Sequence, residues 1–154
     1  MVSTDTEVVT LKTQEVSRIE TKEEVETYLA RLRYALDTGA KITFQEKRLV
    51  DENRPPQYTN RFTVADLFPN ENPTDALKRE LRTLSVKEYL RTVKDLNCTN
   101  RSEMREFGKI YPIEKEVYIK IRVEVFGGNP TPLFVMSFHY AMKPFSQEVF
   151  PYKD

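Results

Sequence analysis

The chain divides by the period of its apolar residues. Between residues 21 and 38, Val25, Tyr28, Leu29, Leu32 and Leu36 recur at helical spacing. Thr21 and Glu24 in front of them spell a capping box, and Gly39 closes the run, so a helix is predicted over 21–38. A second helix is predicted over 74–96. Its first half carries Leu77, Leu81 and Leu84; Ser85-Val86-Lys87-Glu88 then spells another capping box ahead of Tyr89, Leu90 and Val93. From residue 116 the period drops to two. Val117, Ile119, Ile121, Val123 and Val125 point one way, and Tyr118, Lys120, Arg122 and Glu124 the other. Gly127-Gly128-Asn129-Pro130 makes a turn, and 133–140 returns, which predicts an antiparallel hairpin over 116–140.

Shorter signals fill the rest. A third strand is predicted over 105–111 and a brief one over 41–45. Residues 51–60 contain Pro55-Pro56 and read as a loop, after which Thr63 caps a short turn with Asp66 three residues on. Residues 97–104 are polar and read as a second loop. The pattern predicts an α+β fold, N-terminal helices packed on a C-terminal antiparallel sheet. Residues 1–20 form an arm or edge strand, 21–145 a single domain, and 146–154 a tail laid over the surface.

Opposed residues of an antiparallel pair share a face. If the odd-numbered apolar set of 116–126 shares the core with Phe134, Met136 and Phe138, then Ser137 and His139 lie with Tyr118, Lys120 and Arg122. Leu133 and Val135 fall on that face too, so a cover over one of its ends is expected. Pairing Val125 with Phe134 places His139 opposite Lys120.

Composition narrows the chemistry. The length of 154 residues suits one domain. No stretch approaches the ~20 apolar residues of a membrane span. The N-terminal residues carry neither a basic leader nor an apolar run, so no signal peptide is expected. The lone Cys98 fits a reducing, cytoplasmic setting. One His and one Cys cannot furnish the usual zinc sets, and there is no glycine-rich phosphate loop; neither a metal nor another cofactor is expected. The net charge is zero but unevenly placed. Residues 1–27 hold seven acids and three bases, a balance of −4; residues 78–122 hold twelve bases and seven acids, a balance of +5. The basic segment suggests a surface for an anionic partner, with Arg101, Arg105 and Arg122 as phosphate contacts.

Four phrases carry a resemblance: Leu84-Ser85-Val86-Lys87-Glu88-Tyr89, Phe107-Gly108-Lys109, Glu116-Val117-Tyr118-Ile119-Lys120-Ile121 and Ser137-Phe138-His139-Tyr140. In this order they resemble the MqsR family of toxin ribonucleases, which share the RelE-like fold, over roughly residues 22–145. The resemblance implies helices packed on an antiparallel sheet, endonucleolytic cleavage of mRNA, and a cognate antitoxin protein that silences it. It places the family's catalytic positions on Arg91, Tyr118 and His139, the first and last often Lys in the family. A family glutamine falls near Arg105 or Glu106. The arm before residue 20 and the 46–62 connection depart from a minimal toxin.

The residue types suit that chemistry. Metal-free RNA cleavage needs a base for the 2′-hydroxyl, an acid for the leaving 5′-oxygen and positive charge for the phosphate. His139 can serve as base or acid. Lys120, Arg122, Arg91 and Lys109 can hold phosphate, and Tyr118 can orient it or stack a base. The alternative is a non-catalytic module on the same fold that binds RNA or an effector. A phage or plasmid anti-CRISPR protein acting on a CRISPR effector or its guide RNA would be one such case.

Overall fold

The computed structural model describes residues 14–44, 53–98, 100–123 and 133–154. Their strands are β1 (Glu15–Arg18), β2 (Ile42–Phe44), β3 (Tyr89–Asp95), β4 (Met104–Tyr111), β5 (Lys115–Val123) and β6 (Leu133–Tyr140); their helices are α1 (Lys22–Asp37), α2 (Asn60–Leu67) and α3 (Pro73–Leu81). The strands form one sheet in the order β1-β3-β4-β5-β6-β2. All its pairings are antiparallel except the parallel join of β2 to β6. The class is α+β. The helices, however, do not precede the sheet as a block: α1 lies between β1 and β2, and α2 and α3 between β2 and β3. β1 and β2, the first two strands described, supply the sheet's two edges; the alternation at residues 7–11, read as an arm or edge strand, lies outside the described residues.

Helix α1 starts where its capping box predicts. Thr21 Oγ1 accepts from the Glu24 backbone N at 3.2 Å, and Glu24 Oε1 accepts from the Thr21 N at 3.1 Å. Its buried stripe, Val25 to Leu36, packs with Leu77, Leu81 and Leu84 against one face of the sheet. That face presents Tyr89, Phe107, Tyr111, Ile119, Ile121 and Phe138.

The helix expected over 74–96 stops at Leu81. The Ser85 capping box forms, but it caps a single 3-10 turn, Val86–Glu88. Residues 89–95 are strand β3. Tyr89 and Leu90 are both buried, as are Thr92 and Val93, and a register shift falls between Tyr89 and Arg91. A strand covered on both faces and bulged at its start buries adjacent pairs, which mimics helical spacing.

Thr63 does not open a turn; it lies inside α2, whose cap is Thr59. Its hydroxyl accepts from the Tyr140 backbone N at 2.9 Å, and Asn60 Oδ1 accepts from the Phe138 N at 3.1 Å. Strand β2 pairs only with residues 133–135 of β6. The side chains of α2 therefore satisfy two backbone donors farther along that strand.

Strands β5 and β6 pair antiparallel as expected, with a correction to register and parity, and the turn expected at 127–130 lies outside the described residues. His139 faces Tyr118 and Ser137 faces Lys120, where His139 had been expected opposite Lys120. The pairing then shifts between Lys120 and Ile121, so that Ile121 faces Val135 and Val123 faces Leu133. One extra residue in β6 reverses the face of everything beyond it. Leu133 and Val135 thus enter the core, fully buried, instead of the face of Tyr118. The side chains of Phe134 and Met136, and Val125 altogether, lie outside what is described.

The tail beyond Tyr140 runs over the second face of the sheet. A Cβ on Gly108 would come within 2.8 Å of the ring tips of both Phe145 and Phe150. At the tail's end Tyr152 reaches the first face, where it stacks on Tyr89, ring centroids 6.1 Å apart. Gly108→Ala is therefore expected to cost about 1–3 kcal/mol, the range for overpacking a tight site. Urea denaturation measures this. In a Phe150→Leu background the same change should cost less; equal costs in both backgrounds would show that the tail is not what fills this space.

Candidate functional site

A cavity of about 460 Å³ opens on the second face, between the sheet and the tail. Strand alternation supplies its floor. Arg91, Glu106, Tyr118, Lys120, Ser137 and His139 come from four adjacent strands, β3 to β6, and point to the side opposite α1. The tail supplies Met142, Lys143, Phe145 and Glu148 as one wall, and Arg54 also lines it.

Glu106 lies at the centre of the charges, 4% exposed. Its Oε1 accepts from Arg91 Nη1 at 2.5 Å, and its Oε2 lies 3.9 Å from Lys120 Nζ. Arg91 also donates to Glu148 Oε2 at 2.7 Å, and Lys143 Nζ lies 3.0 Å from Glu148 Oε1. Lys120 donates to Glu15 of β1 at 2.6 Å. Burial, reinforced by the charge of Glu106, pushes the Tyr118 hydroxyl well above the usual phenol range, so it stays protonated. Burial lifts the Glu148 carboxyl, but the hydrogen bonds from Arg91 and Lys143 outweigh that and leave it below its ordinary value.

His139 is 5% exposed, and its ring lies 5.3 Å from that of Tyr118, centroid to centroid. Its Nδ1 is 2.9 Å from the carbonyl oxygen of Tyr140. A carbonyl only accepts, so Nδ1 carries the hydrogen and Nε2 is the acceptor of the neutral ring. The cavity thus combines an imidazole, a protonated phenol, a buried carboxylate and several cations. Among the described residues, no three His, Cys, Asp or Glu side chains come together as a metal-binding group.

Of the residues singled out in the sequence, Arg91, Tyr118, Lys120 and His139 meet in this cavity. Lys109 does not. It alternates with Glu106 and Gly108 onto the helix side of β4, where it pairs with Glu88 at 3.3 Å. The three arginines expected to bind phosphate do not form one surface. Arg101 is exposed in the turn between β3 and β4. Arg105 lies on the helix side, its guanidinium 4.5 Å from the Tyr28 ring centroid. Arg122 is buried. The +5 segment is not a bare basic patch either. Arg79, Arg82, Arg91, Arg105, Lys109, Lys115 and Lys120 all pair with acids, among them Glu71, Asp37, Glu148, Glu20, Asp66 and Glu15 from outside that segment.

Sequence reasoning missed the roles of Glu106, Glu148 and Lys143. Glu106 had a signal, since its even number in β4 puts it on the face of Gly108. Glu148 and Lys143 had none, because nothing local in the tail says where it lands.

No family model, no curated protein and no solved structure matches the chain. Among the described residues, no helix is long and apolar enough to cross a membrane.

The depressed carboxyl of Glu148 gives a pH dependence with a definite sign. Its pairing stabilises the tail fully above the unfolded carboxyl pKa, roughly 4.3, and is lost as pH falls through the lower folded value. Hydrogen exchange at residues 145–150 should therefore lose protection below about pH 4. Glu148→Gln should show the weaker protection already at pH 7. Identical pH profiles for the two proteins would mean that other contacts hold the tail.

Proposed function

We propose that the protein is a metal-independent endoribonuclease of the toxin–antitoxin type, acting in the cavity on the second face of the sheet. The observation that carries this reading is the meeting of Arg91, Tyr118, Lys120 and His139, chosen for that chemistry from the sequence, in one cavity. His139 Nε2 takes the proton of the 2′-hydroxyl. The 2′-oxygen attacks phosphorus, the bond to the 5′-oxygen breaks, and a 2′,3′-cyclic phosphate forms. Tyr118 donates its proton to the departing 5′-oxygen and recovers one from the imidazolium beside it. Arg91 and Lys120 hold the phosphate oxygens. Substrate phosphate would take those cations from Glu148 and Glu15. RNA is the substrate, and a cognate antitoxin is the partner this class of enzyme implies. The MqsR-like resemblance and a RelE-like fold belong to the same proposal.

One observation favours a second reading. Arg91, Lys120 and Lys143 are each already paired with a carboxylate of the same chain. A module that binds RNA or an effector without cutting, such as an inhibitor of a CRISPR effector acting at its guide RNA, has no need of unpaired cations at rest.

Purified protein incubated with total RNA in EDTA should cut it and leave 2′,3′-cyclic phosphate ends. His139→Ala should slow cutting by about 10²–10⁴-fold, the usual share of a general base, while RNA binding survives. Lys120→Ala should also slow it. A folded His139→Ala protein that cuts at the wild-type rate would remove His139 from the mechanism. A wild type that binds RNA and never cuts it supports the second reading.

A further inference from the structure

The acid on the tail side of the cavity is set in place by its own segment. Glu148 follows the single 3-10 turn Phe145–Gln147, and its backbone N donates to the Phe145 carbonyl oxygen at 3.1 Å. Phe145 is buried, and Phe150 packs edge-on against it, ring centroids 5.3 Å apart. Both rings sit where Gly108 leaves room, so this stretch of tail is fixed by packing on either side of Glu148. Its carboxylate gives one oxygen to each of two cations. Oε2 accepts from Arg91 Nη2 at 2.7 Å, and Oε1 lies 3.0 Å from Lys143 Nζ. Two non-bridging oxygens of a phosphodiester are held by Arg and Lys in the same way.

Charge and access fit an exchange of one anion for the other. Among the described residues, the ion pairs around the cavity join Arg91, Lys120 and Lys143 to Glu106, Glu15 and Glu148. Withdrawing Glu148 removes one negative charge from that network, and one phosphodiester link restores it. Arg91 keeps its place through the exchange, because buried Glu106 holds Nη1 at 2.5 Å while Nη2 changes partner. The Glu148 side chain is 9% exposed, but those of Arg91 and Lys143 are 30% and 59% exposed, so an incoming anion reaches both cations.

We propose that Arg91 and Lys143 form a phosphodiester subsite that Glu148 occupies in the free protein, so that the tail inhibits its own cavity until a nucleic-acid strand displaces the carboxylate. This rests on the reading of the cavity as an RNA site, and not on cleavage there. A carboxylate tethered in the same chain competes at an effective concentration on the order of millimolar or more, and it lowers the apparent affinity for the strand by the fraction of time the subsite is open.

The test uses the full chain and the thymidine deoxydinucleotide, titrated by NMR. This probe has one phosphodiester link and no 2′-hydroxyl, so the proposed chemistry cannot cut it; thymidine is the uncharged control. Glu148→Gln should bind the dinucleotide about 10-fold more tightly than the wild type, the gain expected of a subsite closed about nine-tenths of the time. Thymidine should bind both proteins equally. Adding Lys143→Gln to Glu148→Gln should weaken dinucleotide binding again by about 3-fold, the share of one exposed charge contact. In the wild type, saturating dinucleotide should speed hydrogen exchange at residues 145–150, which reads the displacement without any substitution and stands even if Glu148→Gln is unstable. Equal dinucleotide affinity in the wild type and a folded Glu148→Gln, an equal gain for thymidine, or exchange at 145–150 that is unchanged or slower would each overturn the proposal. If neither protein binds the dinucleotide, the reading of the cavity as an RNA site falls with it. Tighter binding by Glu148→Gln, with no cutting of total RNA by either protein, supports the subsite and removes only the ribonuclease.

Discussion

The register shift in the β5–β6 pairing is the constraint on which both faces of this protein depend. Strict alternation would send Leu133 and Val135 to the same side as Ser137 and His139. One extra residue in β6, next to the Lys120–Ser137 pair, breaks the alternation. Leu133 and Val135 then fill the core, while Ser137 and His139 line the cavity behind it. A single strand can thus send apolar side chains into the core at one end and polar side chains into the cavity at the other.

The cavity is held together by a buried carboxylate among cations. Glu106 faces Lys120 across β4–β5 and Arg91 across β3–β4. A buried ion pair contributes little net stability, yet removing one partner typically costs about 3–5 kcal/mol because the other is left uncompensated. Glu106 therefore orients Arg91 more than it strengthens the fold. Burial, reinforced by the charge of Glu106, keeps the Tyr118 phenol protonated. The acids that complete the network come from the two ends of the described chain, Glu15 in β1 and Glu148 in the tail.

The tail is part of this arrangement. Phe145 and Phe150 pack where Gly108 leaves room, and the Tyr152 hydroxyl reaches the carbonyl of Glu20. The tail links the two faces of the sheet: Glu148 lines the cavity, while Tyr152 reaches the segment just before α1. Glycine at 108 is needed for close approach and not for an unusual backbone angle.

Much of the architecture was legible in the sequence because it is local. The Thr21 capping box, the stripe from Val25 to Leu36 and the two-residue period of 116–123 are properties of single segments, and each formed as read. Alternation alone put Tyr118 and Lys120 on one face. It put His139 with them because it lies on the near side of the register shift. The rest depended on neighbours distant in the chain. Residues 89–95 satisfy a helical pattern and a doubly covered strand equally well, and the open edges of β1 and β4 decided between them. Lys109 was one residue out of phase with the site, which only the pairing of β4 with β5 reveals. Glu148 had to be brought 57 residues back along the chain to reach Arg91. Periodicity states which way a side chain points relative to its own segment. Which segment lies against it, where a ladder slips by one residue, and which acid meets which base are set by packing across the sheet, and only the tertiary structure decides them.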